Sequence, residues 1–154
     1  MRRDVTAAFV EKLLTHITGG GRVEADADGD YPVRYGNAQY YVRLVGGSHV
    51  DVQVFAIAVD DVNPSPELLT AINGINTQAR FVRVFHVNGQ VLVEADIAGD
   101  AMEPSGFYTA CEAVATVTDK VGPQLAAEHG GRTAFEDSKE ESYRPREELI
   151  GMYL

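Results

Sequence analysis

The sequence predicts an α+β domain with the order α-βββ-α-ββ-α, an antiparallel sheet with helices packed mainly on one face. Three observations carry this. Between Ser65 and Ile97 the apolar spacing is helical as far as Arg80 and then alternates with a period of two, so a helix runs straight into strands. Asn88-Gly89 interrupts the alternating run and is the strongest short hairpin signal, because a type I′ turn needs positive φ at both central residues. A second set of alternating runs, Tyr31 to Tyr35, Ala38 to Val45 and Val50 to Val59, is punctuated by Gly36-Asn37 and Gly46-Gly47-Ser48.

Val5, Phe9, Leu13, Leu14 and Ile17 recur at helical spacing, and Gly19-Gly20-Gly21 ends that first helix where left-handed backbone is cheap. A phosphate-cradling loop would need strand, glycines and helix in the opposite order. Asp26, Asp28 and Asp30 invite a calcium reading, but an EF-hand loop needs glycine sixth and glutamate twelfth, where Tyr31 and Asn37 stand. An acidic turn before a strand is the simpler reading, with an adventitious weak cation site as the alternative. The Gly36-Asn37 turn opposes Val33 to Tyr40 and Tyr31 to Val42. The next connection is read as opposing Leu44 to Val50 and Arg43 to Asp51. Tyr31, Val33, Tyr40, Val42, Leu44, Val50, Val52 and Val54 then make one core face, with Tyr41, Arg43, Asp51, Gln53 and Phe55 on the other side.

Ser65 suits an N-cap and Pro66 the first helical position. Leu68, Leu69, Ile72, Ile75 and Ala79 form the apolar stripe of that helix, and Gly74 in its middle costs about 1 kcal/mol against alanine. The Asn88-Gly89 turn pairs Val87 with Gln90, Phe85 with Leu92, Arg83 with Glu94 and Val82 with Ala95. Val82, Val84, Val91, Val93 and Ala95 face the core, and Phe81, Arg83, Phe85, Leu92, Glu94 and Asp96 face away. Phe107, Cys111, Val114, Thr118 and Val121 mark the last long helix, which Gly122-Pro123 is expected to kink or divide before Gly130-Gly131 stops it. Residues 1–131 read as a single domain. Residues 132–154 read as a charged tail, irregular to Arg146, whose apolar end Leu149 to Leu154 should dock on its own domain or on a partner.

Composition narrows the function. A formal charge of −10 argues against nucleic acid or an anionic membrane as partner, since counterion release needs a basic surface. One cysteine excludes an internal disulfide, and no apolar run approaches the roughly 20 residues of a spanning helix. With no signal-peptide hydrophobic region after Met1-Arg2-Arg3, a cytoplasmic protein is expected. His16, His49, His86 and His129 are spread over separate elements, none spaced as a metal or acid-base pair. Cys111, on an apolar helix face, reads as a small buried hydrophobe. There is no HExxH, GxSxG or P-loop signature. No catalytic residue, metal or cofactor is therefore expected. Asn73 and Asn76 close one helix, either as side-chain caps of the helix-to-strand joint or as ligand contacts.

The stretches DGDYPVRYGNAQYYVRL, VDVQVFAIAV, ELLTAINGIN and RFVRVFHVNGQVLVEADI resemble the YbjN-like branch of the type III secretion chaperone-like fold, over roughly residues 4 to 131. The resemblance implies a non-enzymatic protein, a peptide-binding chaperone or sensory-transduction regulator. In secretion chaperones of similar fold a dimer presents its surface to an extended effector segment, and the central helix helps make that dimer. A homodimer is thus implied, though Gly74 and two asparagines stand in the corresponding helix here.

The leading expectation is a peptide- or protein-binding module that uses the outward sheet face: Tyr41, Arg43, Phe55, Phe81, Arg83, Phe85 and Leu92. Aromatics with arginine are the usual anchors of interfaces. Burial of this face under Leu149 to Leu154 would remove it. Two alternatives stand beside it. One is an acidic inhibitor or immunity-type protein whose charge speeds encounter with a basic partner; the other is an enzyme whose pocket the sequence does not display.

Overall fold

The computed structural model describes residues 2–135 and 147–154. Helix α1 (Arg3–Ile17) buries Thr6, Val10, Leu13 and Leu14. Its buried stripe is rotated from the expected one: Val5 is exposed and Phe9 half-buried. Thr6 can take an inward position because its hydroxyl donates to Arg2 O at 3.1 Å, which satisfies the polar atom inside the helix. Gly19 and Gly20, both at positive φ, end the helix as read from sequence.

Strands β1 (Tyr31–Tyr35), β2 (Ala38–Val45) and β3 (Asp51–Val59) form an antiparallel meander. The first hairpin has the expected register, Val33 opposite Tyr40 and Tyr31 opposite Val42. The second does not. Leu44 opposes Val52 and Arg43 opposes Gln53, two residues from the pairing inferred from sequence. A shift of two leaves every side chain on its face, so hydrophobic patterning could not detect it. The cause lies in the connection. Gly46 sits at φ 100, and a Cβ there would stand 2.3 Å from His49 O, so the chain folds back on itself through Val50 before pairing starts.

Ser65 caps α2 (Pro66–Asn76), its hydroxyl accepting from Leu68 N at 3.0 Å. Leu68 and Ile72 are buried, but Leu69, counted in the apolar stripe from spacing, is 49% exposed. The hairpin of β4 (Arg83–Val87) and β5 (Gln90–Ile97) has the inferred register from Arg83↔Glu94 to Val87↔Gln90, with Asn88 at φ 50 and Gly89 at φ 77. The sheet order is β1-β2-β3-β5-β4.

Helix α3 (Pro104–His129) lies across β3, β5 and β2. Phe107, Cys111, Val114, Thr118 and Val121 are all buried, as their spacing predicted. The expected division at Gly122-Pro123 is absent: the helix is one unbroken run of 26 residues. Gly122 is seated against β3, where a Cβ would lie 2.7 Å from Ala58 O, beside the register shift between Ile57 and Val59. The helix runs on through Pro123, whose ring removes one helical hydrogen bond, next to this close approach.

After α3, Arg132 pairs with Asp60 (N to O 2.9 Å, and 2.8 Å in return), which ties the chain to the end of β3. The charged segment expected up to Arg146 lies outside the described residues from 136 on. Helix α4 (Glu147–Tyr153) then docks on α3: the Tyr153 hydroxyl donates to Glu112 Oε2 at 2.5 Å, and Arg80 N donates to Tyr153 O at 2.9 Å. The apolar C-terminal end therefore sits on the helical layer. Residues of α1, α2, α3 and α4 join the inward side chains of all five strands in one core cluster, to which none of Tyr41, Phe55, Ile57, Phe85 and Leu92 belongs.

Candidate functional site

The outward side of the sheet is built as rows across the strands. Pro32, Tyr41, Phe55, Glu94 and Arg83 oppose one another in turn across β1, β2, β3, β5 and β4. On one side lies Arg43, Gln53 and Asp96. On the other lies Ile57, Leu92 and Phe85. Neighbouring strands stand about 4.8 Å apart, so the side chains of each row are cross-strand neighbours.

Tyr41 and Phe55 stack with ring centroids 5.2 Å apart and an 18° interplanar angle. The Arg43 guanidinium lies 4.6 Å from the Phe55 centroid, and the Arg83 guanidinium 5.5 Å from that of Phe85. Both arginines are held from below by buried carboxylates. Arg43 donates to Asp30 through Nε (2.8 Å) and Nη2 (2.6 Å), and Asp30 is only 4% exposed. The expected opposition of Arg43 to Asp51 is thus replaced by a fork on Asp30, because the register is shifted by two. Arg83 bonds Glu94, 7% exposed, and reaches Asp96 Oδ2 at 3.1 Å. The hydrogen bond that each guanidinium donates to its carboxylate, and then the carboxylate's charge, raises the pKa of each guanidinium. Gln53 donates to Asp96 and Gln39 to the Tyr41 hydroxyl, which completes a polar frame round the aromatics.

Six of the seven residues singled out from sequence, Tyr41, Arg43, Phe55, Arg83, Phe85 and Leu92, share this face. Phe81 does not. Pairing stops at Arg83, and Phe81 sits at φ 70, which turns its side chain off the strand alternation. Its ring meets Tyr153 edge-on at 6.3 Å, and it borders a cavity with the inward Ala95 and with Gly106, Thr109 and Ala110 of α3. Sequence reasoning missed Ile57 and Asp30. Strand parity alone places Ile57 beside Phe55. Asp30 gave no such signal, since its role needs a turn in which the Asp26 carboxylate accepts from Asp28 N and Asp30 N (2.9 and 3.0 Å). The DADGD segment is therefore an acidic turn, the simpler of its two readings.

At the β1 rim, the Arg34 guanidinium lies over Phe135 of the turn that follows α3, at 3.9 Å, while α1, α2, α3 and α4 contribute to the core on the other side. Of the paired asparagines, Asn76 closes the β4 edge: its Nδ2 donates to Val84 O (2.8 Å) and its Oδ1 accepts from Val84 N (2.9 Å). Asn73 is exposed. Among the described residues there is no group of three or more His, Cys, Asp or Glu able to hold a metal.

A one-sided sheet of this kind presents a flat, aromatic, hydrogen-bonding surface. A family model described as TY-Chap1, "T3SS (YopN, CesT) and YbjN peptide-binding chaperone 1", matches residues 4–137. The chain belongs to this family. The TY-Chap1 family is one of peptide-binding chaperones, and this is the class the resemblance implied; the acidic-inhibitor and enzyme alternatives are not favoured. Among solved structures, the crystal structure of the ExsC–ExsE complex matches with a TM-score of 0.59 at 13% identity, covering 81% of this chain and 97% of that one. At that identity the likeness is one of fold: an α+β domain with a five-stranded antiparallel sheet. No curated protein matches. The TY-Chap1 match spans all five strands and α3. No helix among the described residues is long and apolar enough to cross a membrane.

Proposed function

We propose that this TY-Chap1 protein binds an extended peptide segment of a partner protein on the open face of its sheet, in the cytoplasm, and catalyses no reaction of its own. One observation carries the reading: the stacked Tyr41–Phe55 pair, the Ile57–Leu92–Phe85 row and two guanidinium groups laid over aromatic rings form one surface on the side opposite the helices. Both arginines are already neutralised beneath, so a partner need not supply a counter-charge. Groups that could have served chemistry are committed elsewhere. Burial pushes the Cys111 thiol up to about 12, the reverse of a catalytic thiolate, and the His86 ring shares a 2.9 Å hydrogen bond with Val62 O. The reading includes a homodimer through α2, supported by Leu69 standing exposed on that helix.

The test is selection of binding peptides from a displayed library, followed by titration against Phe85→Ser/Leu92→Ser and Phe81→Ser. The double variant should lose at least about tenfold in affinity while keeping its thermal midpoint near wild type, and Phe81→Ser should bind normally. Equal binding by all three proteins refutes the face. Sedimentation of wild type against Leu69→Glu examines the dimer, and a wild-type monomer at high concentration rejects it.

A further inference from the structure

On the opposite side of the sheet a cavity of about 500 Å³ opens between the end of α1, the first half of α3 and the β1–β2 hairpin. Its walls carry four rings: His16, Tyr35, Tyr40 and Tyr108. The His16 and Tyr108 rings lie 5.6 Å apart, and the buried Tyr40 and Cys111 line the same cavity. Glu112 is the one carboxylate among the lining residues. It is half-buried, and its Oε2 accepts from the Tyr153 hydroxyl of α4 at 2.5 Å. No lysine, arginine or histidine among the described residues forms an ion pair with it, in contrast to Asp30 and Glu94 on the other face, each of which lies under an arginine.

We infer that this cavity receives the cationic side chain, arginine or lysine, of the bound peptide. Three features point to a cation. Aromatic walls attract one through their negative ring faces. A half-buried carboxylate with a hydrogen-bond donor but no counter-charge among the described residues is incomplete, because a neutral donor offsets only part of the desolvation of an anion. The chain itself carries −10, which favours approach of a positively charged segment. Burial first, and then the bond to Glu112, raise the pKa of Tyr153, so its hydroxyl remains a donor to that carboxylate. The inference rests on the peptide-binding reading, and it places a second, charge-selective contact on the side away from the aromatic face.

The test uses small probes, so that it does not depend on the partner. N-acetyl-arginine methylamide, the lysine analogue and the neutral norleucine analogue are titrated into the full-length protein while backbone amide and tyrosine ring signals are followed by NMR. The two cationic probes should saturably shift signals of His16, Tyr35, Tyr108 and Glu112, and norleucine should bind at least fivefold more weakly. Glu112→Gln, which keeps an acceptor for the Tyr153 hydroxyl, should weaken the cationic probes by about five- to thirtyfold with an unchanged thermal midpoint, the loss of one charge-assisted contact. Tyr35→Leu provides a second variant that leaves the carboxylate in place and should weaken them as well. Non-saturating shifts scattered over the acidic surface, equal binding of norleucine, or undiminished binding to Glu112→Gln overturns the inference. Failure here with library peptides still sensitive to Phe85→Ser/Leu92→Ser removes the cavity alone; the converse removes the sheet face alone.

Discussion

Asn76 offers the sharpest test of how this fold is held together. Two-residue hairpin loops close on a hydrogen-bonded pair, so Val87 and Gln90, Phe85 and Leu92, and Arg83 and Glu94 exchange main-chain bonds, and the Val84 backbone points off the sheet. The Asn76 side-chain amide supplies both missing partners, at 2.8 and 2.9 Å. Each such bond contributes about 0.5–1.5 kcal/mol net, and water can partly replace them at an edge, so Asn76→Ala should cost about 2 kcal/mol. For a chain of this length that corresponds to a fall of about 4–8 °C in Tm. Asn76→Asp should cost at least as much, because it keeps the acceptor for Val84 N–H but sets a carboxylate against the Val84 carbonyl. Asn73→Ala, three residues earlier and exposed, should stay within about 0.5 kcal/mol of wild type. Urea unfolding with unchanged m-values measures all three. If Asn76→Ala unfolds with wild-type stability, or Asn73→Ala loses as much, the edge-closing role is wrong. The loss should also appear as concentration-dependent association, since β4 would expose unpaired edge groups.

Other outcomes follow from the same geometry. Gly74→Ala, where no atom lies within 4 Å of the new methyl, should stabilise by about 0.5–1 kcal/mol in thermal melts, whereas Gly122→Ala, equally helical, should destabilise because its Cβ meets Ala58 O. Arg43→Met should cost about 1–3 kcal/mol by urea titration, since it leaves the buried Asp30 carboxylate without its cation; a neutral result would mean that the pair has no structural weight. Burial raises the thiol of Cys111 from 9.0 to about 12, and burial with the bond to Glu11 raises the phenol of Tyr31 from 10.0 to about 12. Both groups have folded values above their unfolded ones, so their stabilisation is intact below about pH 9 and is lost as pH rises toward 12. Urea midpoints should fall across that window, less steeply in Tyr31→Phe. Cys111 should resist a thiol-disulfide reagent at neutral pH until the chain unfolds.

How far the sequence could be read depended on the range of the interaction concerned. Ser65, Asn88-Gly89 and Gly36-Asn37 act over two to four residues, and each forms the cap or turn its residues dictate. The faces of β1 to β5 were legible because alternation is local, and because a register error of two does not change a face. What could not be read depended on backbone placed from far away. The β2–β3 register was set by the fold-back at Gly46, and α3 runs on through Pro123 where Gly122 rests on the β3 bulge. Phe81 was assigned by alternation carried two residues past the end of the strand, into a joint whose positive φ serves the contact with Tyr153. The site was legible as a list of side chains but not as an arrangement. That Asp30, across a turn and a strand, lies under Arg43 has no signature in either segment.

The two faces handle charge in opposite ways, and this difference should show in binding. On the open face Arg43 and Arg83 are forked onto Asp30 and Glu94, so a peptide settling there meets aromatic rings and the flat sides of guanidinium groups whose charge is already balanced. In the cavity Glu112 has a donor but, among the described residues, no cation. Added salt screens the second contact far more than the first, since attraction between a carboxylate and an incoming cation weakens as the Debye length falls from about 10 Å at 0.1 M to about 3 Å at 1 M. Binding of one selected peptide should therefore separate into a salt-insensitive part abolished by Phe85→Ser/Leu92→Ser and a salt-sensitive part abolished by Glu112→Gln. A peptide whose arginine or lysine is replaced by norleucine should keep only the first. If that peptide retains the full salt dependence, the charge being screened is the general −10 of the surface, and the cavity has no part in recognition.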